Sequence, residues 1–239
     1  MSSSVESEWK DLYRIGGIAP LLTLVFYISE LSLISWDSYP ASTRDWFLLI
    51  QQNKLLGLFY LNALDIFSIS FLGIMFLALH AALTKTNKSL MVIAAFFALL
   101  GVGVFIVPRI DMLSLLPLSD RFASAITEAE RATLLSAGEA LGSLGTPTPQ
   151  TIGFLFMSIG VLLISFVMLQ SNTFNKITAW FGILASMLTF ATQLSMIIAP
   201  SLSTPLMFAG GLFWFPWWAM VGLGLLRLAG NKADDGITK

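Results

Sequence analysis

Six long apolar segments constrain the fold of this chain more than any other feature of its sequence. A helix needs about 20 predominantly apolar residues to cross the roughly 30 Å of hydrocarbon in a bilayer. The stretch from Ile177 to Leu226 has no charged residue, but Pro200 and Pro205 divide it into two helices. The six predicted spans cover residues of about 15–36, 55–79, 89–108, 151–170, 177–200 and 205–229.

The low content of charged residues excludes most classes of soluble protein. Of the 239 residues, 56% are hydrophobic and 11% are Asp, Glu, Lys or Arg, whereas a typical soluble domain has roughly 25% charged residues. A net charge of -1 provides no basic surface for nucleic acid. A chain with one histidine and no cysteine is not expected to hold a metal or haem, so no cofactor is predicted. The fold is therefore predicted to be all-α: an integral membrane six-transmembrane-helix bundle whose first partner is the lipid bilayer.

The distribution of Lys and Arg near the span ends predicts the orientation of the bundle, because cytoplasmic loops carry an excess of these residues. One side of the bundle has 8 of the 13 such residues, and the other side has 5. The richer side holds both ends of the chain, so the tails at 1–14 and 230–239 are predicted to be cytoplasmic. Its eight residues are Lys10, Arg14, Lys85, Lys88, Lys176, Arg227, Lys232 and Lys239.

Two long connections on the other side are predicted to contain amphipathic helices. In the first, Ser42 and Asp45 have the spacing of a capping pair and precede an apolar run. In the second, Thr127 and Glu130 form a capping box at which a helix can restart. This second helix either lies on the bilayer or bundle as a lid, or provides a docking surface for a partner protein. Helical periodicity places one set of its residues on a single face: Phe122, Ile126, Ala129, Thr133, Ala137, Ala140 and Leu144.

One loop motif and the spans after it resemble a known family. The motif is "TEAERATLLSAGEAL" (Thr127 to Leu141), followed by "GFLFMSIGVLLISFVML" and "NTFNKITAWFGIL". Together they resemble the prokaryotic membrane family called domain of unknown function 4386, over about Tyr13 to Leu228. The resemblance implies a six-helix protein of the cell membrane of a bacterium or archaeon. It implies no activity, so no functional residue is carried over from it.

Polar side chains within the apolar segments are the candidates for a functional site. A charged residue at the centre of a span costs about 2.5–3.5 kcal/mol on insertion scales, so it is seldom kept without a role. Asp65 is predicted to lie roughly 15 Å along the second span, with Asn62 on the same helical face. Arg109, at the end of the third span, is the nearest plausible cation for Asp65 or for Glu30 of the first span.

These residues allow two interpretations of nearly equal weight. In the first, they line an outward-facing intramembrane pocket that binds a small amphipathic or lipid-like ligand, as in a sensor or carrier. In the second, they are structural ties between helices, and either carboxylate can be protonated, because a neutral acid costs less in lipid. The residues of the predicted pocket are Glu30, Asn62, Asp65, Arg109, Gln193 and Trp214.

Two function classes remain, and neither is an enzyme. The first is the binding protein with this pocket, and the second is an accessory or structural subunit of a larger membrane protein complex. The sequence has no nucleophile motif, phosphate-binding loop or metal-ligand cluster, so catalysis by Asp65 and Glu30 ranks third. Gly153 and Gly160 in the fourth span indicate a close helix contact, either within the bundle or with a second copy in a homo-oligomer.

Overall fold

Six long apolar helices form the body of the protein in the computed structural model, which describes residues 9–33, 39–144 and 147–234. Each of these six helices is long and apolar enough to cross a membrane, and the all-α membrane bundle expected from the sequence is confirmed. Trp36, expected to end the first span, lies outside the described residues. The six are α1 (Lys10–Leu33), α4 (Ala63–Leu83), α5 (Lys88–Met112), α8 (Pro147–Gln170), α9 (Lys176–Ile198) and α10 (Ser203–Asp234).

The six long helices are arranged as a closed ring around a shared apolar core. Going around the ring, the order of neighbours is α1, α4, α5, α8, α9 and α10, and α10 packs back against α1. Large side chains such as Phe76, Phe105 and Trp217 are fully buried in the centre. One end of the ring, which we call the cap end, carries the four shorter helices. The opposite end, the tail end, holds the start of α1 and the end of α10.

Small residues bring neighbouring helices of the ring into close contact. A Cβ atom built on Gly153 would lie 3.0 Å from the backbone nitrogen of Phe105, and one on Gly160 would lie 2.6 Å from that of Ala98. Both glycines of α8 therefore face α5 directly. Close backbone approach at small residues is a common way for helices to associate in lipid. The contact predicted for Gly153 and Gly160 is thus internal to the bundle.

The second span begins later than its apolar sequence suggests. Residues Lys54–Tyr60 form a separate short helix, α3, and α4 begins only at Ala63. Asn62, in the turn between them, has a φ of 53° and a ψ of 42°, the left-handed conformation. That conformation interrupts a right-handed helix. Asp65 therefore lies about 3 Å from the start of its helix, in the first turn, and not 15 Å along a span.

Asn62→Val is expected to destabilise the protein, whereas Asn62→Gly should be neutral or stabilising. Glycine and asparagine tolerate the left-handed region, but a β-branched side chain there is a genuine outlier. The expected loss for valine is about 1–2 kcal/mol. Thermal unfolding of the detergent-solubilised variants measures the difference. Equal unfolding temperatures for the two variants would show that the turn conformation does not limit stability.

The cap consists of four helices: α2 (Thr43–Gln52), α3, α6 (Leu115–Ser124) and α7 (Glu128–Leu144). Helix α2 begins with the capping box expected at Ser42 and Asp45. At the start of α7, the Thr127 hydroxyl accepts the backbone N–H of Glu130 at 3.2 Å, as the sequence predicts. The Glu130 carboxylate accepts the N–H of Ile126 at 3.3 Å. Both amphipathic helices expected in the long connections are therefore present.

A small apolar core and one buried hydroxyl hold the cap together. Phe47 and Ile50 of α2 pack with Leu61 and Leu115, and all four are at most 2% exposed. The hydroxyl of Ser119 on α6, also fully buried, donates to the backbone carbonyl of Phe47 at 3.0 Å. These contacts join α2 to α6, so the cap is one packed unit and not two separate loops.

The face of α7 that packs on the cap differs from the predicted one. Ile126 is 93% exposed and Ala137 is also exposed, so the apolar face expected from helical periodicity does not pack on the cap. Instead Gly138 is buried, and a Cβ built on it would approach α2, while Leu141 packs against the apolar core of the cap. The chain leaves the helix at 125–127, so Phe122 lies on α6 and does not share a helix with the later residues of the expected face.

Candidate functional site

Three charged side chains from three different helices lie together at the cap end of the ring. Glu30 is three residues before the end of α1, Asp65 is in the first turn of α4, and Arg109 is three residues before the end of α5. Helices α1 and α5 run toward the cap and α4 runs away from it, so all three positions are at one level. The cluster therefore lies near the ends of the spans, where a charge costs less than at the bilayer centre.

Asp65 and Arg109 form a buried ion pair. The Nη2 atom of Arg109 lies 2.9 Å from Oδ2 of Asp65, and their side chains are 14% and 6% exposed. This confirms Arg109 as the counter-ion of Asp65. The guanidinium also lies over the ring of Phe105, with Cζ 5.1 Å from the ring centroid, a favourable cation–π geometry.

Tyr27, which is not among the residues predicted from the sequence, is a further member of this cluster. Its hydroxyl lies close enough to the Asp65 carboxylate to interact with it electrostatically. It lies three residues before Glu30 on α1, a spacing that places both side chains on neighbouring positions of one face. That spacing was the available signal in the sequence, but without the neighbour of α1 it does not point to Asp65.

Glu30 is buried, and its carboxyl group has an oxygen atom without a partner. The residue is 5% exposed, and the backbone of Leu64 lies near its carboxyl group. Its Oε1 atom is buried without a hydrogen-bond partner among the described residues, as is Nε of Arg109. The cluster has two carboxyl groups and one guanidinium, and the guanidinium is paired with Asp65. The remaining carboxyl group therefore needs a proton or another cation.

Trp214 is connected to the charged cluster through aromatic rings. Its indole lies 5.6 Å from that of Trp218, which in turn stacks on Tyr27 with ring centroids 5.5 Å apart. The Nε1–H of Trp214 donates to the hydroxyl of Thr189 at 2.7 Å. Trp214 is thus held between α9 and the aromatic rings, two side chains away from Asp65.

The other two predicted site residues occupy separate positions. Gln193 is buried on α9, the helix opposite α4 in the ring, and α9 packs against α8 and α10. Asn62 lies in the turn before α4, and its side chain makes no capping hydrogen bond. The structure therefore brings together Glu30, Asp65 and Arg109, connects Trp214 to them, and places Gln193 on α9, which does not neighbour α1, α4 or α5 in the ring.

The contact between α1 and α10 is tight from the tail end up to Tyr27. A Cβ built on Gly17 would lie 2.8 Å from the carbonyl oxygen of Gly222. Closer to the cap, Tyr27 packs against both Phe215 and Trp218. Positions 215, 218 and 222 are three or four residues apart, so they define one face of α10 that packs against α1.

Beyond Tyr27 the described packing between α1 and α10 is looser. The same face of α10 continues through Gly211 to Phe208, but a Cβ on Gly211 would meet no described atom within 4 Å, and Phe208 is 69% exposed. On α1, Leu31 is 51% exposed. The cap-end halves of α1 and α10 therefore present exposed apolar side chains near the level of Glu30.

No metal site is apparent in this region: among the described residues, no group of three or more His, Asp or Glu side chains could hold a metal ion. A family model described as "Domain of unknown function (DUF4386)" matches residues 41–224. No curated protein and no solved structure matches the chain.

Proposed function

The chain belongs to the DUF4386 family, whose description names no activity, and from its charged cluster we propose that this multi-pass membrane protein binds a small amphipathic molecule. The ligand has a positively charged group, which pairs with Glu30, and an apolar body. The protein acts as a sensor or carrier of this molecule and not as an enzyme.

This proposal rests on the burial and the incomplete pairing of the Glu30 carboxyl group. The carboxyl group is buried, its Oε1 atom has no hydrogen-bond partner among the described residues, and the nearby Arg109 is engaged by Asp65. A buried polar atom without a partner costs about 1–3 kcal/mol. An ammonium group of a ligand would supply both the hydrogen bond and the missing positive charge, and a charge-assisted hydrogen bond is stronger than a neutral one.

The exposed apolar side chains on the cap-end halves of α1 and α10 support an amphipathic ligand over a simple ion. They include Leu31 and Phe208, so an alkyl chain can lie there in contact with lipid. The polar end of such a molecule then reaches the level of Glu30. Ligand sites with an apolar lining and few polar groups are the common kind in proteins.

The orientation of the site is part of the proposal. We propose that both termini are cytoplasmic and that the cap lies outside the plasma membrane of a prokaryotic cell. The tail end carries Lys10, Arg14, Lys88 and Lys176 at or near helix ends, which supports this orientation by the excess of positive residues in cytoplasmic loops. The ligand would then enter from the outer leaflet.

Replacing Glu30 tests the proposal. We expect the purified protein to bind dodecyltrimethylammonium saturably in a neutral detergent, measured by isothermal titration. Glu30→Gln keeps the shape of the side chain and removes its charge, so binding should weaken roughly ten-fold or more. Asp11→Asn, an exposed carboxylate at the tail end, is the matched control and should bind as the parent does.

Two results would contradict ligand binding at Glu30. One is equal affinity of the parent and Glu30→Gln for the alkylammonium. The other is equal affinity for dodecanol, which has the same chain without the charge. If neither compound binds and the protein instead purifies with a stoichiometric membrane protein, the accessory-subunit function replaces the proposed one.

A further inference from the structure

A cleft of about 380 Å³ lies in the cap, separate from the charged cluster. It is formed by the start of α2, the end of α5, the start of α6 and the second half of α7. Trp46, Met112 and Leu115 provide apolar walls, and Glu139 and Ser42 provide polar groups. Neither Glu30 nor Asp65 is among the described residues that line it.

Among the described residues that line the cleft, Glu139 has the charged side chain, and it forms no ion pair with another described residue. The ion pairs among the described residues join Lys54 to Asp120, Arg109 to Asp65 and Arg131 to Glu128, and none involves Glu139. An exposed carboxylate in water needs no partner, but a carboxylate at the mouth of a cleft raises the local concentration of cations.

Trp46 gives the cleft an aromatic wall that is held in position. Its ring packs edge-on against Tyr39, with centroids 5.4 Å apart, and Tyr39 packs in turn on Tyr60 at 5.8 Å. The first turn of α2 is fixed by the Ser42 capping box. The face of an indole is the best aromatic partner for an organic cation, which is how proteins commonly recognise quaternary ammonium groups.

Two glycines of α7 shape the cleft, one by allowing close packing on α2 and the other by leaving space beside Glu139. Gly138 is packed tightly, since a Cβ on it would collide with the side chain of Thr43 on α2. Gly142, one turn later on the same helix, also lines the cleft, but a Cβ there would meet no atom of the described residues within 4 Å. A larger side chain at position 142 can therefore enter the cleft without displacing the described backbone.

We propose that this cleft is a second binding site, selective for a small organic cation with an aromatic or aliphatic body. The ammonium group lies between the Glu139 carboxylate and the Trp46 ring, and the apolar body rests on Met112 and Leu115. This site does not depend on ligand binding at Glu30, because the two share no described lining residue.

The probe for this site is benzyltrimethylammonium, measured by equilibrium dialysis against the full-length protein in detergent. We expect saturable binding that weakens roughly ten-fold or more in Glu139→Gln, through loss of the charge, and in Gly142→Phe, through filling of the cleft. Gly142→Ala and Asp11→Asn are the matched controls and should bind within about two-fold of the parent.

Three outcomes overturn the cleft as a cation site. They are no saturable binding by the parent, equal binding by the parent and Glu139→Gln, and equal binding by the parent and Gly142→Phe. If Gly142→Phe does not fold, judged by its unfolding transition, the comparison of Glu139→Gln with Asp11→Asn decides. Loss of binding in Glu30→Gln with full binding in Glu139→Gln would place the probe at the charged cluster instead.

Discussion

Arg109→Met is expected to lower the free energy of unfolding by about 3–5 kcal/mol, because it removes one partner of a buried ion pair. Arg109 lies 2.9 Å from Asp65, and both side chains are largely buried. Without the guanidinium, Asp65 and Glu30 are two buried carboxyl groups with no counter-ion in the described structure. Methionine keeps much of the apolar stem that packs near Phe105, so the loss reports mainly the charge.

Lys54→Met provides the matched control for this substitution. Lys54 pairs with Asp120 at 3.1 Å, but these side chains are 57% and 63% exposed. A solvent-exposed pair contributes at most about 1 kcal/mol. Chemical unfolding of the two variants in mixed micelles, followed by circular dichroism, measures both losses. If Arg109→Met loses no more than Lys54→Met, the buried pair does not stabilise the bundle.

A double variant distinguishes the contribution of the ion pair from the cost of leaving one buried charge without a partner. Replacing a whole buried pair by apolar residues of similar volume is often neutral or stabilising. Asp65→Leu combined with Arg109→Met should therefore recover most of the stability lost in Arg109→Met alone. This double variant also keeps the test informative if the single variant does not fold. Continued instability of the double variant would mean that the geometry around Tyr27 and Phe105 depends on the ion pair itself.

The bundle could be predicted from the sequence because the length of an apolar segment is a local property. Each span must bury its backbone polar groups within itself, so helices follow from segment length alone. The start of α4 could not be predicted, for the opposite reason. Residues 55–61 are as apolar as a span, and the left-handed turn at Asn62 leaves no mark in hydropathy.

The sequence could predict the site only where its residues lie on one helix, or where few oppositely charged partners are available. Asp65 and Arg109 could be paired because few opposite charges are available at that end of the spans. Tyr27 could not be placed beside Asp65, or Trp218 beside Tyr27, since these contacts require α1 to lie between α4 and α10 in the ring. The expectation for Gln193 rested on its depth alone. Depth does not specify position around the ring, and α9 is opposite α4.

The same limit applies to glycines, whose partners are known only once the helices are placed. A Cβ on Gly101 of α5 would lie 2.6 Å from the carbonyl oxygen of Gly153 and from the backbone nitrogen of Met157. Gly101→Ala is therefore expected to lower the free energy of unfolding by about 1–3 kcal/mol, the range for overpacking a filled core. Because two of the clashing atoms are backbone, the helices must separate, and no side-chain rotation relieves the contact.

Gly103→Ala is the control for that prediction, on the same helix and two residues away. A Cβ there would meet no atom within 4 Å in the part of the chain that the structure describes, and alanine is a better helix former than glycine by about 1 kcal/mol. This variant should be as stable as the parent or more stable, when both alanine variants are compared by thermal unfolding in one detergent. The two variants should change stability in opposite directions. A loss of stability in both would reflect a general need for glycine in α5. A loss in Gly101→Ala alone assigns it to the contact with α8, the tight packing on which helix association in lipid depends.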